Sequence, residues 1–64
     1  MTGKELKKAR IEAELTVTEL AKLAEIARGT IYYYEEGYRN IGNVTSQKLK
    51  RIIQSRKNEI DSLS

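Results

Sequence analysis

The 64-residue chain contains no cysteine, no histidine and no proline, and only four glycines, at positions 3, 29, 37 and 42. Without cysteine there is no disulfide, and nothing in the sequence points to an oxidising compartment. Without cysteine and histidine the usual structural zinc clamps are excluded, as are the commonest nucleophile–base pairs of enzymes. No metal, cofactor or small-molecule ligand is expected, and no enzyme. No apolar run is long enough to span a bilayer, and no signal-peptide core follows Met1, so the expected location is the cytoplasm. A domain this short buries only about 60% of the surface its unfolded chain exposes. With no covalent or metal staple, well-matched helix packing must hold it, aided by self-association.

What the chain does have is an uneven charge distribution. The formal net charge is +3, but residues 1–10 carry Lys4, Lys7, Lys8 and Arg10 against Glu5 alone. Residues 48–57 carry Lys48, Lys50, Arg51, Arg56 and Lys57 with no acid. Between Ile11 and Glu36 there are six acids and two bases, Lys22 and Arg28. Two basic ends around an acidic middle suit a polyanionic partner gripped from its flanks, or two ordinary solvated helix faces.

Helix caps punctuate the sequence. Thr2-Gly3-Lys4-Glu5 reads as a capping box opening a first helix to about Glu14, with Leu6, Ala9, Arg10 and Ala13 on one arc and Ile11 off it. Thr16-Val17-Thr18-Glu19 is a second box, opening a short helix with Val17, Leu20, Ala21 and Ala24 on one face. After a break at Glu25-Ile26-Ala27 a third apolar phase begins, with Ala27, Ile31 and Tyr34 pointing inward. Gly37 marks its end near Glu36, because a residue just past a helix must often be left-handed. A polar loop, Tyr38 to Val44, leads to a last helix with Thr45 as the expected N-cap. No segment alternates convincingly with period two. The predicted class is all-α, four to five helices in a single domain over 1–64, with a long C-terminal helix over about 46–62.

Two short helices joined by a tight turn form a helix-turn-helix unit, here about 16–36, whose second helix can enter a DNA major groove. Such a unit needs small residues where the helices cross, met by Ala21 and Ala24, and an apolar plug in the turn, met by Ile26. Arg28, Gly29, Tyr32, Tyr33 and Glu36 then point outward from the second helix.

The ungapped segment from Leu15-Thr16 through Leu20-Ala21, Ala24, Ile26, Ile31 and Tyr34-Glu35-Glu36-Gly37 resembles the lambda-repressor-like Cro/C1 helix-turn-helix family. The resemblance implies a homodimer on a two-fold symmetric double-stranded DNA operator. Carried over by position, it implies Arg28, Gly29, Tyr32 and Tyr33 as base readers. It also implies Val17, Thr18, Glu36, Asn40 and Asn43, with Arg39 nearby, as phosphate-facing. Arg10 and Glu35 match a pair that forms a semi-buried salt bridge between the first and third helices in similar proteins. The chain departs from the family pattern where Val17 replaces a phosphate-bonding Gln, Glu25 the turn Gly and Ala27 the capping Ser. Glu36 also puts an acid opposite phosphate.

Arg28 can fork onto a guanine edge or take a phosphate, and Gly29 allows close approach. Tyr32 and Tyr33 can meet thymine methyls or phosphates, or pack on neighbouring helices. In the last helix, Leu49, Ile53, Arg56, Ile60 and Leu63 follow heptad-like spacing. Ile53, Ile60 and Leu63 are therefore expected to dimerise, with Ile11 against the same tail. The expected function is a sequence-specific transcriptional repressor of the small Cro-like kind carried by phages and mobile elements. The alternatives are a partner-binding module on the same fold, such as an antirepressor, and the DNA-binding fragment of a longer repressor.

Overall fold

The computed structural model describes residues 1–63, which form four helices and, among the described residues, no strand: α1 (Gly3–Glu12), α2 (Val17–Ala24), α3 (Arg28–Glu35) and α4 (Asn43–Leu63). Both expected capping boxes form. Thr2 Oγ1 accepts from the Glu5 amide at 3.1 Å while Glu5 Oε1 accepts from the Thr2 amide at 2.7 Å. Thr16 and Glu19 repeat the pair at 3.0 Å in both directions. These hydrogen bonds hold the Glu5 and Glu19 carboxyls below the usual glutamate range.

The three short helices stop in the same way. Beyond α1, Glu14 is left-handed (φ 57°). The Glu14 amide donates to the Ile11 carbonyl at 2.9 Å and the Leu15 amide to the Arg10 carbonyl at 3.1 Å. Beyond α2, Glu25 is left-handed (φ 56°), and the Ile26 amide donates to the Ala21 carbonyl at 3.0 Å. Beyond α3, Gly37 is left-handed (φ 84°), and the Tyr38 amide donates to the Tyr33 carbonyl at 2.9 Å. This paired pattern is a Schellman stop, which satisfies helix-end carbonyls and turns the chain sharply. It ends α1 two residues short of Glu14, because Leu15 has to return to the core.

The core gathers one face from each helix: Leu6 and Ala13, Leu15, then Val17, Leu20, Ala21 and Ala24, Ile31, and Leu49 and Ile53. Ile26 packs against it from the turn, as expected. One of the inward assignments around α3 is corrected. Ala27 is exposed, because it precedes the first helical turn in extended conformation (φ −58°, ψ 140°). Tyr34 packs on the core but is only partly buried.

The last helix is continuous, as expected, but starts earlier than Thr45. The Ser46 amide donates to the Gly42 carbonyl at 2.8 Å, so Gly42 holds the N-cap position and Thr45 lies within the first turn. This start puts Ser46, Leu49 and Ile53 on one buried stripe. A glycine in α1 sets the helix spacing: a Cβ on Gly3 would overlap the Tyr34 carbonyl oxygen, so α1 begins in contact with the C-terminal turn of α3.

Candidate nucleic-acid interface

One buried cation links α3 to the rest of the molecule. Arg10 Nε donates to Glu35 Oε2 at 2.8 Å and its Nη2 to Glu35 Oε1 at 3.1 Å, a bidentate pair with side chains 11% and 3% exposed. Its third donor, Nη1, reaches the Leu15 carbonyl at 2.8 Å. One guanidinium thus ties α1 to α3 and to the turn that leads into α2. The Glu35 hydrogen bonds raise the Arg10 pKa, so the guanidinium stays charged. The predicted salt bridge is present, and it explains the cation on the packed arc of α1.

Helix α3 buries Ile31 and turns Arg28, Gly29, Tyr32 and Tyr33 to solvent. Its N-terminus has no side-chain cap, since Ala27 offers no acceptor. Thr18 in the first turn of α2 is exposed, as are Glu36, Arg39, Asn40 and Asn43 around the α3–α4 loop. Two expected contacts need correction. The Val17 side chain is 8% exposed and belongs to the core, so only its backbone amide can meet a ligand at that position. Ile53 is 3% exposed and completes the hydrophobic core, so its side chain is not available to a second copy. Both lie on helix faces that the packing of α2 and α4 turns inward.

The helix-turn-helix family profile matches residues 6–57. The chain belongs to the helix-turn-helix family. It is 39% identical over 54 residues to a candidate HTH-type transcriptional regulatory protein of Methanothermobacter thermautotrophicus. The match covers 84% of this chain but 17% of that protein, so the chain spans about a sixth of the relative's length. No solved structure matches the chain. Family membership identifies a DNA-binding type of domain and agrees with the Cro/C1-type resemblance read from the sequence.

Helices α2 and α3 form the two arms of the helix-turn-helix, joined through Glu25, Ile26 and Ala27. Tyr38 was not singled out as a site residue, yet it is among the most exposed large side chains, at 78%, and touches Tyr33. The signal was available: an aromatic residue directly after the left-handed Gly37 occupies the position that folds back onto the helix it follows. The Leu15 carbonyl was also missed as the third partner of Arg10; nothing in the sequence marks a backbone acceptor. On α4, Ile60 is half-buried and Leu63 is 89% exposed, while Ile11 remains exposed on α1. No helix among the described residues is long and apolar enough to cross a membrane.

Proposed function

We propose that the chain is a sequence-specific repressor of transcription, of the small Cro-like kind that phages and mobile elements carry, binding a two-fold symmetric operator as a homodimer. The observation that carries this reading is the outward face of α3, where Arg28, Gly29, Tyr32 and Tyr33 are exposed together on a helix anchored by the Arg10–Glu35 pair. Arg28 reads a guanine edge through two parallel hydrogen bonds, and Gly29 lets the helix backbone sit close to the bases. Around this face, Thr18, Glu36, Arg39, Asn40 and Asn43 meet the sugar-phosphate backbone, and Val17 contributes its amide. The first-turn amides of α2 suit a phosphate, because they are donors at the positive end of the helix dipole. Glu36 weakens the grip on its side, and Arg39 in the same loop offsets it.

A single reading helix makes few contacts, so tight binding requires two copies on half-sites about 34 Å apart. With Ile53 committed to the core, the pairing surface is the far end of α4, where Leu63 and the outer part of Ile60 meet a second copy. Selection from a random duplex pool is the direct test. The full chain is expected to enrich two-fold symmetric sites and to occupy them two to one, whereas a chain ending at Gln54 occupies single half-sites. Enrichment of no sequence contradicts the reading; two-to-one occupancy by the shortened chain contradicts the α4 pairing.

A further inference from the structure

Each of the three Schellman stops is followed by an apolar or aromatic residue: Leu15, Ile26 and Tyr38. Leu15 is buried and Ile26 packs on the core. Tyr38 does not. It leans on Tyr33, ring centroids 6.1 Å apart and planes at 89°, while both rings stay more than half exposed, at 78% and 53%. Edge-to-face is a favoured arrangement for an aromatic pair, since the positive ring edge meets the negative ring face. The backbone reinforces it: the Tyr38 and Arg39 amides both donate to the Tyr33 carbonyl, at 2.9 and 3.3 Å. An exposed tyrosine on a helix is ordinarily free to change rotamer. Tyr33 is braced by a ring that its own helix stop holds in place.

We propose that Tyr38 is a positioning residue for sequence reading. It fixes the Tyr33 ring so that the two tyrosines form one apolar shelf at the C-terminal end of the α3 outward face, and the shelf receives a thymine methyl group. The claim rests on the reading of α3 as the DNA-facing helix. Thymine suits the shelf because its C5-methyl is the apolar feature of the major-groove edge. Two exposed rings offer apolar area that no neighbouring helix uses.

The test replaces thymine by uracil, one position at a time, in the site that the full chain selects, which removes only the methyl. At one symmetric position the full chain is expected to lose affinity roughly 3- to 10-fold, the size of burying about one methyl group. Tyr33→Ala abolishes this discrimination. Tyr38→Ala abolishes it too, the double variant behaves like Tyr33→Ala, and Tyr38→Phe restores the parent ratio. Tyr38→Leu keeps an apolar residue on the stop without a ring edge and is expected to follow Tyr38→Ala, which guards against a folding defect. A Tyr38→Ala protein with the parent thymine-to-uracil ratio overturns the proposal, as does one weakened equally on both duplexes. If the full chain selects a site but ignores uracil throughout, the shelf is wrong and the DNA reading stands. If it selects no site, both fall.

Discussion

Gly29 and Gly3 have no side chain for opposite reasons. A Cβ on Gly29 would meet no atom within 4 Å, so nothing inside the free protein requires glycine there. Alanine in a helix is favoured over glycine by about 0.5–1 kcal/mol, because glycine loses more backbone freedom on folding. Gly29→Ala should therefore raise stability by about that amount in denaturant titration, while weakening DNA binding measured by fluorescence anisotropy. Unchanged DNA affinity would show that the helix does not approach its partner at this residue. The exposed setting of Gly29 was legible in the sequence, because it follows from helical periodicity. The role of Gly3 was not, since the Tyr34 carbonyl it makes room for is distant along the chain. The same limit explains Val17 and Ile53. Family position marked one as a phosphate contact and heptad spacing marked the other as a dimer contact, but the packing of α2 and α4 turned both into the core.

The starts of the helices were the most legible elements and the stops of α1 and α2 the least. A capping box is a four-residue pattern whose hydrogen bonds are local, so Thr2–Glu5 and Thr16–Glu19 could be read directly. The start of α4 could not, because Gly42 and Asn43 advertise no cap more strongly than Thr45; the decision belongs to the buried stripe of Ser46, Leu49 and Ile53. The stop after α3 is marked by Gly37, whereas those after α1 and α2 use Glu14 and Glu25 in left-handed backbone. A residue with a Cβ costs roughly 1 kcal/mol or more in that conformation. Replacing Glu25 by Gly relieves most of this at an exposed site. The Glu25→Gly chain should melt a few degrees higher, on the order of 4–8 °C for each kcal/mol gained in a domain of this size, when followed by circular dichroism. An unchanged or lower melting temperature would mean that the turn holds no such strain.

For the molecule as a whole, the Arg10–Glu35 pair is expected to connect stability to function. Removing Arg10 alone leaves a carboxylate only 3% exposed without its cation, which typically costs about 3–5 kcal/mol. That is a large share of what a domain this small has. The informative change is therefore the double replacement Arg10→Met/Glu35→Leu, since exchanging a buried pair for apolar groups is often close to neutral. It also leaves the Leu15 carbonyl without its donor, a loss of about 1–3 kcal/mol. The double variant is expected to fold, at lower stability than the parent, and to bind its operator at least about tenfold more weakly, because the tie from α3 to α1 and to the turn before α2 is then lost. Parent-like affinity in a folded double variant would reduce the pair to a structural contact.

The charge pattern adds a whole-molecule expectation that one measurement captures. Affinity for the selected site, titrated against salt, should fall linearly on logarithmic axes, with a slope of about −0.9 for each phosphate neutralised. Arg28→Ala should lose about 1–3 kcal/mol and its preference at one base position per half-site, while the salt slope changes little. Binding that ignores salt, or an Arg28→Ala chain as tight and as selective as the parent, would contradict the account.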